Sequence, residues 1–339
     1  MNLVFFKTNA LGDNIAFLPV VQELRRQFPT AQLSLVANPQ LGELYTADVP
    51  VENTLYLLPD DLRTAWRHPW RVPGWLRWLR ARQPDAVLVA YDQSTVAHQL
   101  ARFSGARVRL GAQFGLPWRR AGLTHAVEWD GVSSLAQWQW EMARQFVAEL
   151  GGTPLAHTPP PPNLAHLHDG SPRVANRVVI HPGSKRALTR WPASRFAELA
   201  AHLVRDGREV VWVDVPEAPA EVPPGVRTVA PGKLRELVQL LASASLFVGN
   251  NSGPMHVANA LGTPLVVAPG PAANAWNPAW HRERVRLLVR PELACQPCDH
   301  PARQQTTCAL AGEPLACLKR WDVSAVHAEC RELLARFTA

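Results

Sequence analysis

Short apolar runs and amphipathic stretches alternate along the first half of the chain. The run at residues 2–7 ends in a polar turn, and residues 15–28 then place apolar side chains at helical spacing. Further apolar runs predict strands at 31–38, 53–58 and 85–91, with helical stretches between them. Because strands that alternate with helices pair in parallel, this pattern predicts a doubly wound α/β layer structure.

A segment rich in glycine and proline, residues 151–172, interrupts the alternation before it resumes. The second half then predicts strands at 178–181, 209–215, 246–250 and 265–268, and helices at 193–205, 233–242 and 255–261. We therefore expect an N-terminal domain over 1–160, a proline-rich linker over 161–172, a C-terminal domain with a cysteine cluster over 173–320, and a helix over 321–339 that is a candidate to pack back on the first domain.

Composition and charge narrow the class of protein. The chain has 339 residues, of which 47% are hydrophobic, so it can bury the cores of two domains and is not a disordered chain. Its apolar runs are far shorter than the roughly 18–20 residues of a membrane helix. The first residues lack the basic region of a signal peptide, so we expect a cytoplasmic protein. The net charge of +7 favours an acidic partner without choosing its kind.

Gly12 and Asp13 lie in the turn between the first strand and the first helix. Gly12 allows the backbone to approach a ligand closely, and Asp13 lies at the helix start, at the mouth of the sheet. A carboxylate there can act as a general base. It can also simply cap the helix and complement its dipole, and the spacing alone favours that simpler role.

The loop at residues 181–191 is a candidate for holding a phosphate group. Ser184 and its neighbours can present backbone N–H groups, while Lys185, Arg186 and Arg190 supply positive charge. An ordinary basic loop has the same composition, so both interpretations stay open from these residues alone.

The second candidate loop follows the strand at 246–250 and carries Asn250, Asn251, Ser252, Gly253 and His256. Ser252 is a natural N-cap, and the N-terminus of the following helix offers N–H donors and partial positive charge to an anion. His256, one turn into that helix, can hydrogen-bond the same ligand, although a lone histidine is more often structural.

Four cysteines cluster late in the chain, with the spacing C-x2-C-x9-C-x8-C over Cys295, Cys298, Cys308 and Cys317. Four thiolates suit a tetrahedral Zn²⁺ site best, and a single iron is a second fit. Because the second pair lacks the C-x2-C spacing, a loop of reduced, partly buried thiols explains the pattern equally well. A metal held by all four thiolates would have no open position and would be structural.

Residues 63–82 are both basic and aromatic, with six arginines and four tryptophans. Such a segment can lie on an anionic membrane surface, or it can be a surface helix whose tryptophans pack inward. Nucleic-acid binding would suit the composition too, but no recognised binding motif accompanies it, so no nucleic-acid partner is expected.

Taken together, the loops resemble glycosyltransferase family 9, the ADP-heptose:lipopolysaccharide heptosyltransferases, along nearly the whole chain. The motifs that carry the resemblance are Leu-Gly-Asp at 11–13, His-Pro-Gly-Ser at 181–184, Arg-Trp-Pro at 190–192 and Gly-Asn-Asn-Ser-Gly-Pro-Met-His at 249–256. The resemblance implies a GT-B type α/β fold, in which two Rossmann-like doubly wound domains face each other across a cleft. It implies inverting transfer of a heptose from ADP-heptose to a hydroxyl of the lipopolysaccharide inner core. It implies no metal requirement and a place at the inner face of the membrane, with a peripheral contact to anionic lipid.

The resemblance also assigns roles to single residues. Asp13 is the expected general base on the acceptor hydroxyl. The expected donor-binding residues are Gly12, Ser184, Lys185, Arg190, Glu217, Asn250, Asn251, Ser252, Gly253 and His256. Asp92 and Gln93, after the strand at 85–91, are expected on the acceptor side.

The chain departs from the family pattern at three places. After the strand that begins at residue 209, Asp-Val-Pro at 214–216 precedes Glu217 where the family commonly has glycines before an acidic residue. Asn251 stands where aspartate is usual, and Thr189 stands where lysine is frequent, so Lys185 is the substitute cation. Two alternatives stay open. One is a transferase of the same fold that uses another nucleotide sugar, or a protein acceptor such as an autotransporter. The other is a non-catalytic, metal-bearing binding module on a degenerate GT-B fold.

Overall fold

A computed structural model places the chain in two compact units, Met1–Asn163 and Leu164–Ala339. The structure describes residues 1–91, 93–113, 120–300, 305–308 and 310–337. The boundary between the units falls inside the segment rich in glycine and proline, and each unit is built on one six-stranded parallel sheet. None of the helices among the described residues is long and apolar enough to span a membrane.

The first unit is a parallel sheet with helices in the crossovers. Its strands are β1 (Asn2–Lys7), β2 (Gln32–Ala37), β3 (Thr54–Tyr56), β4 (Ala86–Val89), β5 (Val108–Gln113) and β6 (His125–Glu128). Its described α-helices are α1 (Leu11–Gln27), α2 (Pro59–Arg63), α3 (Val72–Arg80), α4 (Thr95–Phe103) and α5 (Leu135–Glu149). The strand order is β3-β2-β1-β4-β5-β6, and the register places Leu3 beside Leu33 on one side and Ala86 on the other.

The second unit repeats this plan. Its strands are β7 (Arg177–His181), β8 (Glu209–Val213), β9 (Arg227–Val229), β10 (Leu246–Asn250), β11 (Leu265–Ala268) and β12 (Val285–Leu287). Its described α-helices are α6 (Ala193–Arg205), α7 (Leu234–Ala242), α8 (Gly253–Ala260), α9 (Ala316–Lys319) and α10 (Val323–Phe337). The strand order β12-β11-β10-β7-β8-β9 is the same Rossmann order when read from the other edge.

Both cores follow from strands that are apolar on both faces. Five of the six residues of β1 are buried, as expected for a central parallel strand covered by helices on each side. The terminal helix α10 buries Val326, Cys330 and Leu333 in the core of the second unit, which it shares with Leu199 of α6 and Val248 of β10. The helix expected at 321–339 is therefore a structural part of that unit, and Cys330 is a fully buried member of its core.

The strand order reverses between β1 and β4 in the first sheet, and between β7 and β10 in the second. In open α/β sheets ligands bind outside the carboxyl ends of the strands at such a switch point. The loops that follow β1, β7 and β10 lie at these points. The topology thus brings the candidate loops at 181–191 and 249–256 to one edge of one sheet.

Candidate active site

The first switch point is built around the loop between β1 and α1. Thr8 and Asn9 are buried there, and Gln93 holds both of them. The Gln93 side-chain oxygen accepts hydrogen bonds from the Thr8 backbone N–H at 3.3 Å and the Thr8 hydroxyl at 3.0 Å, while its nitrogen donates to Asn9 Oδ1. Gln93 is 2% exposed, so a buried side chain holds the loop between β1 and α1 in place. Asp92, the other acceptor-side prediction, lies outside the described residues.

Asp13 is the third residue of α1, one position after Gly12, and its side chain is partly exposed. Ala10 occupies the N-cap position without a side-chain cap, so Asp13 is not the cap considered from the sequence. A carboxylate in the first turn is nonetheless favoured by the helix dipole. Its backbone carbonyl accepts a hydrogen bond from Gln139 Nε2 at 3.4 Å.

Asn14 and Tyr45 support this first turn, and neither was predicted as part of the site. The Asn14 amide donates to the carbonyls of Asn9 at 3.0 Å and Ala10 at 2.9 Å, and Tyr45 donates its hydroxyl to Asn14 Oδ1 at 2.7 Å. Burial, and then the negative charge of Asp13, raise the pKa of Tyr45 well above its ordinary value. Tyr45 therefore stays protonated and keeps its role as a donor.

The loop after β7 is held together by Ser184 and Arg190. Ser184 Oγ lies 2.7 Å from Thr189 Oγ1 and 3.3 Å from the carbonyl oxygen of Asn251, which joins this loop to the one after β10. The Arg190 guanidinium donates to the carbonyls of Ser184 at 2.6 Å, Glu217 at 2.7 Å and Lys185 at 3.4 Å. Arg190 thus shapes the loop through backbone contacts.

The other two cations of this loop differ in their surroundings. Arg186 forms an ion pair with Asp299, whose side chain is fully buried, and also donates to the carbonyl of Gln305. Lys185 is exposed, and its ammonium group makes no hydrogen bond or ion pair with the residues that the structure describes. Lys185 is therefore the cation of this loop with an ammonium group available to an anion.

Two asparagines close the loop after β10. Asn250 is fully buried, accepts a hydrogen bond from the Trp191 N–H at 2.8 Å and donates to the Pro182 carbonyl at 2.6 Å. Asn251 donates to the Trp276 carbonyl at 2.9 Å. An aspartate at 251 could not make that donation, so the departure from the family pattern matches the local contacts of this chain.

Ser252 precedes α8 with an extended backbone, but it does not make the cap hydrogen bond expected from the sequence. Its Oγ is buried without a hydrogen-bond partner among the described residues. Gly253 begins the helix, and the first-turn N–H groups of an α-helix have no partner within the helix. The helix N-terminus therefore presents both an unsatisfied hydroxyl and backbone donors.

Two buried histidines lie at the same edge of the sheet. His181 ends β7 and is 7% exposed, and its Nδ1 has no hydrogen-bond partner among the described residues. His256, also 7% exposed, lies in the first turn of α8. Burial lowers the pKa of each histidine from 6.5 to about 4. Both imidazoles are therefore neutral near pH 7 and can hydrogen-bond a ligand without adding charge.

Glu217 reaches this edge from the loop after β8. A Cβ atom on Gly183 would lie 2.8 Å from Glu217 Oε1 and 3.1 Å from His181 Cε1. The Glu217 carboxylate and the His181 imidazole therefore both approach the space beside Gly183 that a side chain would occupy. His181 was quoted as part of a motif but not predicted as a binding residue. Its burial next to a carboxylate depends on tertiary structure, which the sequence pattern does not show.

The four clustered cysteines lie around one small cavity of about 20 Å³. Burial, and then the neighbouring thiols Cys298, Cys308 and Cys295, raise the pKa of Cys317 to about 11. The donor set suits zinc or iron in kind and number. Among the described residues, however, no three His, Cys, Asp or Glu side chains are already arranged as a metal-ligand group.

Comparisons with known proteins agree with this architecture. Residues 75–307 match the model of glycosyltransferase family 9 (heptosyltransferase). The chain is 24% identical to the Escherichia coli lipopolysaccharide heptosyltransferase 3 over 81% of this chain and 85% of that protein.

Two solved structures are similar over nearly the whole chain. The E. coli ADP-heptose lipopolysaccharide heptosyltransferase II aligns with a TM-score of 0.73 and 19% identity, covering 100% of both chains. The iron-containing dodecameric glycosyltransferase TibC from enterotoxigenic E. coli H10407 aligns with a TM-score of 0.59 and 17% identity, covering 99% of this chain and 76% of that one. The first likeness confirms the GT-B class of two Rossmann-like domains expected from the sequence. The family match covers more than half of the chain, and the chain therefore belongs to glycosyltransferase family 9, the heptosyltransferase family.

Proposed function

We propose that this chain transfers a heptose from ADP-heptose to a hydroxyl of the lipopolysaccharide inner core, with inversion at the anomeric carbon. The observation that carries the proposal is the pair of unsatisfied, buried polar atoms at the switch point of the second sheet. His181 Nδ1 and Ser252 Oγ have no hydrogen-bond partner among the described residues, and burying such groups costs about 1–3 kcal/mol each. A bound polar ligand at this edge would satisfy them.

The chemistry of this edge fits a nucleoside diphosphate sugar. The N-terminus of α8 and the exposed ammonium group of Lys185 supply positive charge for the diphosphate. The neutral side chains of His181 and His256 add hydrogen bonds, and the Glu217 carboxylate offers an acceptor to ribose or base hydroxyl and amino groups. Ser184, Arg190 and the two asparagines shape the loops that bring these groups together.

For the transfer step we assign the general base to Asp13. Its carboxylate removes the proton from the acceptor hydroxyl as that oxygen attacks the anomeric carbon. The bond from this carbon to the β-phosphate oxygen breaks on the opposite face, and ADP leaves. The negative charge that develops on the leaving diphosphate is stabilised by Lys185 and the α8 N-terminus, so the step needs no metal ion.

Binding of nucleotides to the purified chain tests the donor assignment. We expect ADP to bind in preference to UDP, GDP and CMP in a calorimetric titration, and we expect this binding to weaken in a Lys185→Ala variant. A matched Arg205→Ala variant removes an exposed cation from α6, away from the loops, and should bind ADP as the unmodified chain does.

Other results of that titration favour the alternatives. A preference for another nucleotide would support a transferase of the same fold with a donor other than ADP-heptose. This alternative is considered because Asn251 stands where the family usually has aspartate. Binding of none of the four by folded protein would favour a non-catalytic binding module. If ADP binds but no lipopolysaccharide core fragment accepts the sugar, a protein acceptor such as an autotransporter becomes the next substrate to test.

We also propose that the cysteine cluster holds a structural zinc or iron ion, separate from the transfer step. The support is that four thiols line one cavity, close to Asp299, which forms an ion pair with Arg186 of the donor-side loop. Metal analysis of protein purified without chelators should find about one zinc or iron ion per chain, lost in a Cys295→Ser/Cys298→Ser variant. A folded chain free of both metals would show instead that the cysteines are reduced thiols.

A further inference from the structure

An ion pair joins the loop after β7 to the segment that carries the first cysteines of the cluster. The Arg186 guanidinium donates two hydrogen bonds to the carboxylate of Asp299, one of them at 3.1 Å, and another to the carbonyl oxygen of Gln305. The Asp299 carboxylate also accepts a hydrogen bond from the Gln305 backbone N–H at 2.7 Å. The Asp299 side chain is fully buried, and that of Arg186 is 25% exposed. This bidentate pair therefore differs from a solvated surface pair, which contributes little to structure.

Asp299 contacts two of the loops at the carboxyl edge of the second sheet. Its backbone N–H donates to the carbonyl of Pro271 at 2.9 Å, in the loop after β11, while its carboxylate holds Arg186 in the loop after β7. The strand order places β10 between β11 and β7. Asp299 therefore joins both neighbours of the loop that carries Ser252 and leads into the N-terminus of α8.

The arrangement of the loop after β7 depends on this ion pair. Leu188, two residues after Arg186, lines the cavity of the clustered cysteines, so the loop packs against the segment that carries Asp299. Lys185 directly precedes Arg186, and Arg190 donates to the Lys185 carbonyl at 3.4 Å from within the loop. The backbone that carries the Lys185 ammonium group is thus held on one side by Arg190 and on the other by the Arg186–Asp299 ion pair.

The surroundings of Arg186 favour loop support over direct contact with a phosphate group. Its guanidinium is engaged with Asp299 and Gln305, and the carboxylate beside it offsets the positive charge that a diphosphate would meet. An arginine that bound phosphate directly would bind it more tightly without Asp299. An arginine that holds the loop needs Asp299 as its partner.

We propose that Asp299 is a positioning residue of the donor site, which acts through Arg186 to hold Lys185 where it binds a nucleoside diphosphate. Asp299 itself supplies no atom to the ligand. Removing the charge of Arg186 leaves a buried carboxylate without its counterion, and removing that of Asp299 releases the guanidinium. In either case the loop after β7 is no longer held in one position. The inference rests on the proposed donor site, since it concerns how that site is held.

A double-mutant cycle measured by calorimetric titration tests this role. The titrant is ADP, or whichever of the four nucleotides the unmodified chain binds best, and the chain is purified without chelators. Arg186→Gln and Asp299→Asn should each raise the dissociation constant about tenfold. The double variant should also raise it about tenfold rather than about 100-fold, because both changes break the same ion pair. Arg186→Lys keeps the charge without the bidentate geometry, so its increase should be smaller, about threefold.

The direction of the Asp299→Asn effect separates positioning from direct contact. This substitution removes a negative charge from beside the loop after β7, so electrostatics alone would tighten the binding of an anionic nucleotide. Weaker binding therefore reports the lost position of the loop. Tighter or unchanged binding in Asp299→Asn, or effects of the two substitutions that multiply in the double variant, would overturn the proposal.

Another ion pair of the second unit provides matched controls. Glu313 Oε2 and Arg320 Nη2 lie 2.6 Å apart in an exposed pair farther along the chain. Glu313→Gln and Glu313→Gln/Arg320→Gln should therefore leave the dissociation constant within about twofold.

Two further measurements keep the result specific. Circular dichroism shows that each variant is folded at the temperature of the titration. If a single variant unfolds, the double variant decides by its own tenfold loss, because it leaves no buried charge without a counterion. An unmodified chain that binds no nucleotide would contradict the donor site itself. Binding that Lys185→Ala weakens, but that the Arg186 and Asp299 variants leave unchanged, would overturn this inference alone.

Discussion

Asn250 is a residue whose substitution should change the stability of the site, because its side chain contacts neighbouring loops. Its side chain is fully buried and bridges the Trp191 N–H, at 2.8 Å, and the Pro182 carbonyl, at 2.6 Å. In Asn250→Ala both partners lose their hydrogen bond in a buried environment. Leaving two buried polar groups unsatisfied costs about 2–6 kcal/mol, so we expect a loss of about 4 kcal/mol in the free energy of unfolding.

For a unit of this size, that loss corresponds to a fall of about 10 °C in the melting temperature of the second unit. Calorimetry and circular dichroism of the full chain, with and without ADP, measure it. Asn250→Asp keeps the acceptor for Trp191 but places a carboxylate against the Pro182 carbonyl, so we expect a similar loss. The exposed Lys185 provides the control, because Lys185→Ala should leave melting unchanged. An Asn250→Ala chain that melts within about 2 °C of the unmodified chain would show that the two hydrogen bonds of Asn250 do not stabilise the second unit.

Three further predictions concern the electrostatics and the support of the two sites. Lys185→Ala should raise the ADP dissociation constant about tenfold or more in a calorimetric titration, because one charge-assisted contact is lost; an unchanged constant would place the phosphates elsewhere. His181 and His256, whose folded-state pKa values of about 4 lie below the ordinary 6.5, favour the folded chain only while they are neutral. Stability should therefore be complete above about pH 6.5 and should fall toward pH 4, by about 1.4 kcal/mol per pH unit for each histidine; urea unfolding at several pH values measures this slope, which His256→Gln should reduce. Tyr45→Phe should destabilise the first unit by about 1 kcal/mol, because Asn14 Oδ1 loses its donor; thermal melting that is unchanged would contradict this contact.

The sequence predicted the parts of the fold that depend on local pattern. The central strands β1, β7 and β10 are short apolar runs bounded by polar turns, so their positions follow from composition alone. Their topology then explains why the candidate loops converge. The edge strands β9 and β12 were not predicted, since each has only three residues that are partly or fully exposed and depends on pairing with a neighbour.

The N-terminal end of α1 was also not predicted by the local pattern. The helix begins at Leu11, whereas the apolar spacing indicated residue 15, because Gly12, Asp13 and Asn14 interrupt the apolar periodicity in its first turn. Side-chain hydrogen bonds hold that turn. The Asn14 amide donates to the nearby carbonyls of Asn9 and Ala10, and the Tyr45 hydroxyl, from a distant part of the chain, donates to Asn14 Oδ1. Hydrophobic periodicity carries no information about such contacts.

Side-chain roles were harder to predict than positions. Arg190 and Asn250 fall at the predicted site, but both are engaged with backbone groups of neighbouring loops. A basic or polar residue in a motif is equally compatible with ligand contact and with loop support. The distinction depends on which carbonyl groups the folded chain leaves within reach. His181 shows the reverse case, since its unsatisfied Nδ1 became visible only in the structure.

Sugar transfer measured side by side for the unmodified chain and Asp13→Asn shows whether Asp13 is the general base. The assay uses ADP-heptose and an inner-core acceptor that lacks heptose, and it follows both ADP release and the glycosylated product. Asparagine preserves the shape of the side chain and cannot take the acceptor proton. We expect turnover to fall about 10²–10⁴-fold while ADP affinity and the melting temperature stay unchanged. Near-normal turnover in Asp13→Asn would contradict the assignment of Asp13 as the general base.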